Sequence, residues 1–130
     1  MSRLVTAGSL FLNARLHRAV DAGEIIYAEG DRGTQMYGVV SGEVELRKGR
    51  VVVARIGPDG VFGERALIDQ LPRNLTAIAT IDSNLAEIDR NLFLFLVHET
   101  PTFALDIMGA LASRLRDYDD YVGGTSLSAQ

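Results

Sequence analysis

Phe62-Gly63-Glu64-Arg65-Ala66-Leu67-Ile68-Asp69-Gln70-Leu71-Pro72-Arg73-Asn74-Leu75-Thr76 reads as a site for a small anion carried on a sugar. Gly63 allows close backbone approach, a short helix begins at the Glu64 carboxylate, and Arg73 returns at the far end of the stretch. Free N–H groups and the positive dipole end of a helix suit a phosphate. Arg73 can add two parallel charge-assisted hydrogen bonds. Ionised Glu64 only accepts, so it suits a neighbouring hydroxyl rather than the phosphate.

Around this stretch the punctuation is that of an all-β domain. Short apolar runs at Ile25–Tyr27, Met36–Val40, Glu43–Leu46, Val51–Ile56, Leu75–Ile81 and Leu85–Ile88 alternate with Gly, Asp, Asn and Pro. That spacing indicates a sandwich or barrel over residues 18–90. Ser41-Gly42 and Lys48-Gly49 suit hairpin turns, and Gly57-Pro58-Asp59-Gly60 suits a turn just before the Phe62–Thr76 stretch. Before the barrel, residues 4–16 have loose helical spacing and are expected to form a leading helix.

After Asp89 the period becomes helical. Asp89 is expected to cap a helix over 90–98, and Thr100, followed by Pro101, a second over 101–121. Gly123-Gly124 is expected to end that helix, leaving a flexible tail at 123–130. Ala104, Met108, Leu111, Leu115, Tyr118 and Val122 form a heptad seam on it, open to a second copy or to the chain's own barrel. Phe103, Ile107 and Ala110 are expected to face the barrel.

Composition narrows the function classes. The 130 residues suit one domain, and the 47% apolar content is ordinary for a folded protein. A net charge of −4, with Lys48 as the sole lysine, argues against a nucleic-acid or anionic membrane surface. Cysteine is absent, which removes disulfides and thiolate chemistry. The two histidines, His17 and His98, lack metal-ligand spacing, so neither a metal nor a catalytic set is expected. The longest apolar block, Leu92–Val97, cannot span a bilayer, and no signal peptide is visible. The expectation is a cytoplasmic, non-catalytic protein.

The ordered residues Phe62-Gly63-Glu64, Ala66-Leu67 and Pro72-Arg73 with Thr76 resemble the phosphate-binding cassette of the cyclic nucleotide-binding domains. Upstream, the glycines of Gly23-Glu24, Glu29-Gly30-Asp31-Arg32-Gly33 and Ser41-Gly42-Glu43 fall where that family places its turns. The resemblance covers nearly the whole chain. It implies a jelly-roll β-barrel with flanking helices and a regulatory role in signal transduction. The expected ligand is a cyclic nucleotide, cAMP in preference to cGMP, and no other cofactor is expected.

By resemblance, Gly63, the N–H groups of Arg65 and Ala66, and Arg73 hold the cyclic phosphate. Glu64 accepts from the ribose 2′-hydroxyl, and Val53 lines the base pocket. Asn74 can donate to phosphate or touch a purine edge. The family implies a homodimer through the last helix, which also relays ligand state. Three residues depart from the pattern: Arg65 replaces an apolar residue, Asn74 an Ala, Ser or Thr, and Leu75 a small residue. A bulky Leu75 opens an alternative, an interaction module whose site is plugged. Another is a regulatory subunit acting on a separate effector or transcription regulator. Residues 122–130 are too few for a helix-turn-helix, so no direct nucleic-acid contact is expected.

Overall fold

The computed structural model describes residues 17–129, with side chains described through Arg116. The expected leading helix at 4–16 lies outside the described residues. Eight strands follow in order: β1 (His17–Val20), β2 (Ile25–Tyr27), β3 (Gln35–Ser41), β4 (Val44–Lys48), β5 (Val51–Ile56), β6 (Val61–Phe62), β7 (Thr76–Ala79) and β8 (Ser83–Asp89). Helices are α1 (Arg65–Ile68), α2 (Arg90–Glu99) and α3 (Thr102–Ala129). All strand pairs are antiparallel, in two four-stranded sheets of order β1-β8-β3-β6 and β2-β7-β4-β5. This is jelly-roll pairing. The expected jelly-roll architecture with C-terminal helices is present, as two open sheets that face one another rather than as a closed barrel. Alternating hydrophobicity marks strand faces but not edge closure.

The β1-β8-β3-β6 sheet is the middle of three layers. Tyr37, Val39, Phe62 and Leu85 face the other sheet, where they pack with Val44, Leu46, Ala77 and Ala79. Their alternate neighbours Met36, Val61, Ala86 and Ile88 face the helices and pack with Leu96, Phe103 and Ile107. Burial on both faces explains the unbroken apolar character of β3. On the outer side of β4–β5, Glu45 is buried between Arg47 and Arg55 at 2.7 and 3.1 Å. The Arg47 hydrogen bond, and more weakly Arg55, hold the Glu45 carboxyl below the usual carboxylate range.

Two strands escaped the sequence pattern: β1 has a polar start and β6 has two residues. Asp89 caps α2 by accepting from the Leu92 N–H at 2.8 Å. Phe103 and Ile107 are buried and Ala110 packs beside them, as expected. Correction is needed at the C-terminus: α3 runs through Gly123-Gly124 to Ala129, in place of the expected tail. Glycine permits a left-handed stop but does not enforce one, and within a helix it costs only about 1 kcal/mol relative to alanine. No single helix among the described residues is long and apolar enough to cross a membrane.

Candidate functional site

Arg73 is the centre of the cassette and is only 5% exposed. Its backbone is clamped to the β2–β3 loop: its N–H donates to Asp31 O and its carbonyl accepts from Gly30 N, both at 2.8 Å. Its guanidinium donates to two main-chain carbonyls, Gly63 at 2.8 Å through Nη1 and Gln35 at 2.7 Å through Nη2. The Tyr27 ring lies 4.1 Å from the guanidinium carbon and the Tyr37 ring 5.9 Å. Among the described residues no carboxylate pairs with Arg73, and its buried Nε has no hydrogen-bond partner.

Two glycines make room for this group. A Cβ on Gly33 would lie 2.4 Å from Arg73 Nη2. One on Gly63 would lie 3.0 Å from Nη1, and the Gly63 φ of 74° is in the left-handed region that favours glycine. Beneath them Tyr37 stacks on Phe62 with centroids 5.1 Å apart, and Tyr27 tilts against both. Burial pushes the Tyr27 phenol up to about 12, opposed by the Arg73 charge.

Glu64 lies at the head of α1, which is a single turn. Its carboxylate accepts from Arg114 Nη2 at 3.0 and 3.1 Å, while Arg114 Nη1 donates to Val61 O at 2.8 Å. Thus α3 grips the cassette at its carboxylate. The Ala66 N–H is turned to Gly63 O at 3.3 Å, whereas the Arg65 N–H enters no turn or cap bond among the described residues. Arg65 is half-buried, and its Nε is buried without a partner. Asn74 is exposed, and its carbonyl accepts from Lys48 at 3.3 Å. Leu75 is half-buried and, like Tyr27 and Ala54, packs against the inter-sheet core. Thr76 is structural here, its Oγ1 accepting from the Glu29 N–H at 3.1 Å.

Val53 stands apart. Leu46 pairs with Ala54 and Arg47 with Val52, so Val53 is the extra residue of a bulge on edge strand β5, and it is 42% exposed. It is therefore not ordinary core. Two clefts flank α1. One, of about 290 Å³, is lined by Met36, Leu67, Phe93 and Leu111 with Glu64 and Arg90 at its polar side; the other, of about 270 Å³, by Gly33, Thr34, Gln70 and Arg90. Arg73 lines neither. Among the described residues, no three of His, Cys, Asp and Glu cluster as metal ligands.

Of the residues singled out from the sequence, the structure brings Gly63 and Arg73 into contact and places Glu64 next to Gly63; Tyr27, Gly33, Gln35 and Arg114, which adjoin Arg73 or Glu64, were not singled out as site residues. Gly33 was visible only as a turn residue. Arg114 carried no signal beyond being a cation on a helix.

The family profile of the cyclic nucleotide-binding domain matches residues 17–100. The cyclic AMP receptor protein of Thermus thermophilus is 34% identical over 107 residues, covering 78% of this chain and 50% of that protein. The cAMP-dependent protein kinase regulatory subunit of Yarrowia lipolytica is 40% identical over 82 residues, covering 63% of this chain and 22% of that one. Among solved structures, the Thermus thermophilus catabolite activator protein superposes with a TM-score of 0.72 at 31% identity, over 92% of this chain and 59% of the other. This chain therefore spans half or less of the curated relatives named here. On its fold, its cassette and these matches, the chain belongs to the cyclic nucleotide-binding domain family.

Proposed function

We propose that this chain is a non-catalytic sensor that binds a cyclic nucleotide, cAMP in preference to cGMP, and passes its occupancy to α3. The observation that carries this reading is Arg73: a buried guanidinium on neutral partners, with no carboxylate beside it among the described residues. An uncompensated buried charge costs several kcal/mol, so such a site favours an anion from outside. Arginine has five N–H donors. The two carbonyl bonds leave three, including Nε, for phosphate oxygens.

In this reading Gly63, the Arg65 N–H and Arg73 hold the cyclic phosphate. The turned Ala66 N–H joins them only if its 3.3 Å bond to Gly63 yields. Glu64 retains acceptor capacity for a ribose hydroxyl beside Arg114. Asn74 and Arg65 line the rim, and Val53 and Leu75 lie toward the base. The cAMP preference is supported by the names of the two curated relatives. Ligand entry shifts the population between two packings of cassette and α3. On α3, Met108 and Leu115 are 56% and 60% exposed, which suits a second copy or an effector protein.

One observation favours the alternative of a ligand-free interaction module: Leu75 already packs against the inter-sheet core. Thermal unfolding with cAMP, cGMP and 5′-AMP separates the two. A sensor is stabilised by a cyclic nucleotide in proportion to its concentration over Kd, and more by cAMP than by 5′-AMP. A plugged module melts at one temperature in all three.

A further inference from the structure

The Arg73 guanidinium lies over the Tyr27 ring, and a bulge brings that ring there. Ile25 pairs with Ile78 and Tyr27 with Ala77, so β2 carries one extra residue, Ile26. A regular strand would put Tyr27 on the same face as Ile25, which is 56% exposed. The bulge turns Ile26 and Tyr27 both inward, onto the core between the sheets. The ring then lies 4.1 Å from the guanidinium carbon, within cation–π range.

Resting on the nucleotide reading above, we propose that Tyr27 is a positioning residue for Arg73, its ring face holding the guanidinium ready for an incoming phosphate. The chemistry of the holder matters. A carboxylate would fix Arg73 equally well but would neutralise it and compete with the ligand for its N–H groups. A ring face and two carbonyls, Gly63 and Gln35, stabilise the cation without supplying negative charge. They leave its other three N–H groups available and its field uncancelled. The Gly33 and Gly63 backbones approach the guanidinium closely, so the group has little freedom to lose on binding. The Tyr27 hydroxyl has no hydrogen-bond partner among the described residues, which puts the function in the ring.

The test uses the full chain, titrated with cAMP, in three forms: wild type, Tyr27→Phe and Tyr27→Leu. The Arg73 Nε–Hε resonance is read by NMR in each, assigned by its loss in Arg73→Lys. We expect Tyr27→Phe to bind like wild type and Tyr27→Leu to bind roughly threefold to thirtyfold more weakly. The Arg73 Hε signal should be ring-shifted upfield in wild type and Tyr27→Phe and return downfield in Tyr27→Leu. Tyr27→Leu binding as tightly as wild type overturns the proposal. So does Tyr27→Phe failing as badly as Tyr27→Leu, which moves the role to the hydroxyl. If Tyr27→Leu does not fold, an unshifted wild-type Arg73 signal alone overturns it. If wild type binds no cyclic nucleotide, the functional reading fails, and the NMR comparison still decides whether the ring holds Arg73.

Discussion

Glu64 and Arg114 meet as a two-pronged ion pair at 3.0 and 3.1 Å, 50 residues apart in the chain. The contact joins the cassette to α3, and Arg114 extends it to the Val61 carbonyl on β6. A carboxylate expected to read a sugar hydroxyl is therefore also the cassette's handle on the long helix.

Arg114→Ala should separate binding from response. The pair is about three-quarters buried, and its loss should lower stability by about 1 kcal/mol. Arg73 and Gly63 remain, so cAMP binding should persist at reduced affinity. Hydrogen exchange along α3 should then no longer respond to the nucleotide. Unchanged coupling in Arg114→Ala would remove this ion pair from the relay.

Two glycines beside Arg73 should behave differently when changed to alanine. At Gly33 the added Cβ meets only the end of the Arg73 side chain, and the backbone needs no positive φ. Gly33→Ala should fold with a loss of about 1 kcal/mol from one displaced hydrogen bond. Its cAMP affinity should still fall roughly tenfold or more as Arg73 leaves its place. Gly63→Ala adds left-handed strain of about 1–2 kcal/mol, so both stability and binding should drop. Chemical denaturation paired with calorimetry distinguishes the two patterns.

What could be read from the chain and what could not divide along physical lines. Gly63, Glu64 and Arg73 lie within one short stretch, and each residue type suits one proposed task, so a candidate site could be read there. The strands were visible because Met36, Tyr37, Val39 and Leu85 fill two faces of one sheet. Tyr27 was not visible as a partner of Arg73: an aromatic in a strand reads as core, and a one-residue bulge that re-aims it leaves no mark in the sequence. Arg114 was hidden for a related reason, since helical periodicity reports apolar faces and says nothing of where a polar side chain reaches. Val53 was expected on a regular strand, and a second bulge lifted it out.

Tyr27 should leave a signature at high pH. Its phenol titrates at about 12 in the folded protein, against about 10 when unfolded. The unfolded chain loses that proton first, so the stabilisation is full below pH ~10 and is lost as pH rises toward 12. Tyr27→Phe should flatten that part of the stability curve, measured by urea denaturation across the range. An unchanged alkaline slope in Tyr27→Phe would assign the effect to other groups.

The exposed seam on α3 predicts self-association. Met108→Asp together with Leu115→Asp removes two side chains that are 56% and 60% exposed, so folding should be little affected. Sedimentation should show a dimer in wild type and a monomer in the double variant. A monomeric wild type would leave the seam to an effector.

The central claim is that buried Arg73 awaits a cyclic phosphate. Its most direct test is calorimetric titration of the purified chain with cAMP, alongside cGMP, 5′-AMP and the Arg73→Ala variant. The expected result is saturable binding of cAMP, weaker binding of 5′-AMP, and a loss of about 2–5 kcal/mol in Arg73→Ala. Folded wild-type protein that gives no heat and no thermal stabilisation with either cyclic nucleotide would contradict the claim, and the fold would then stand as an interaction scaffold.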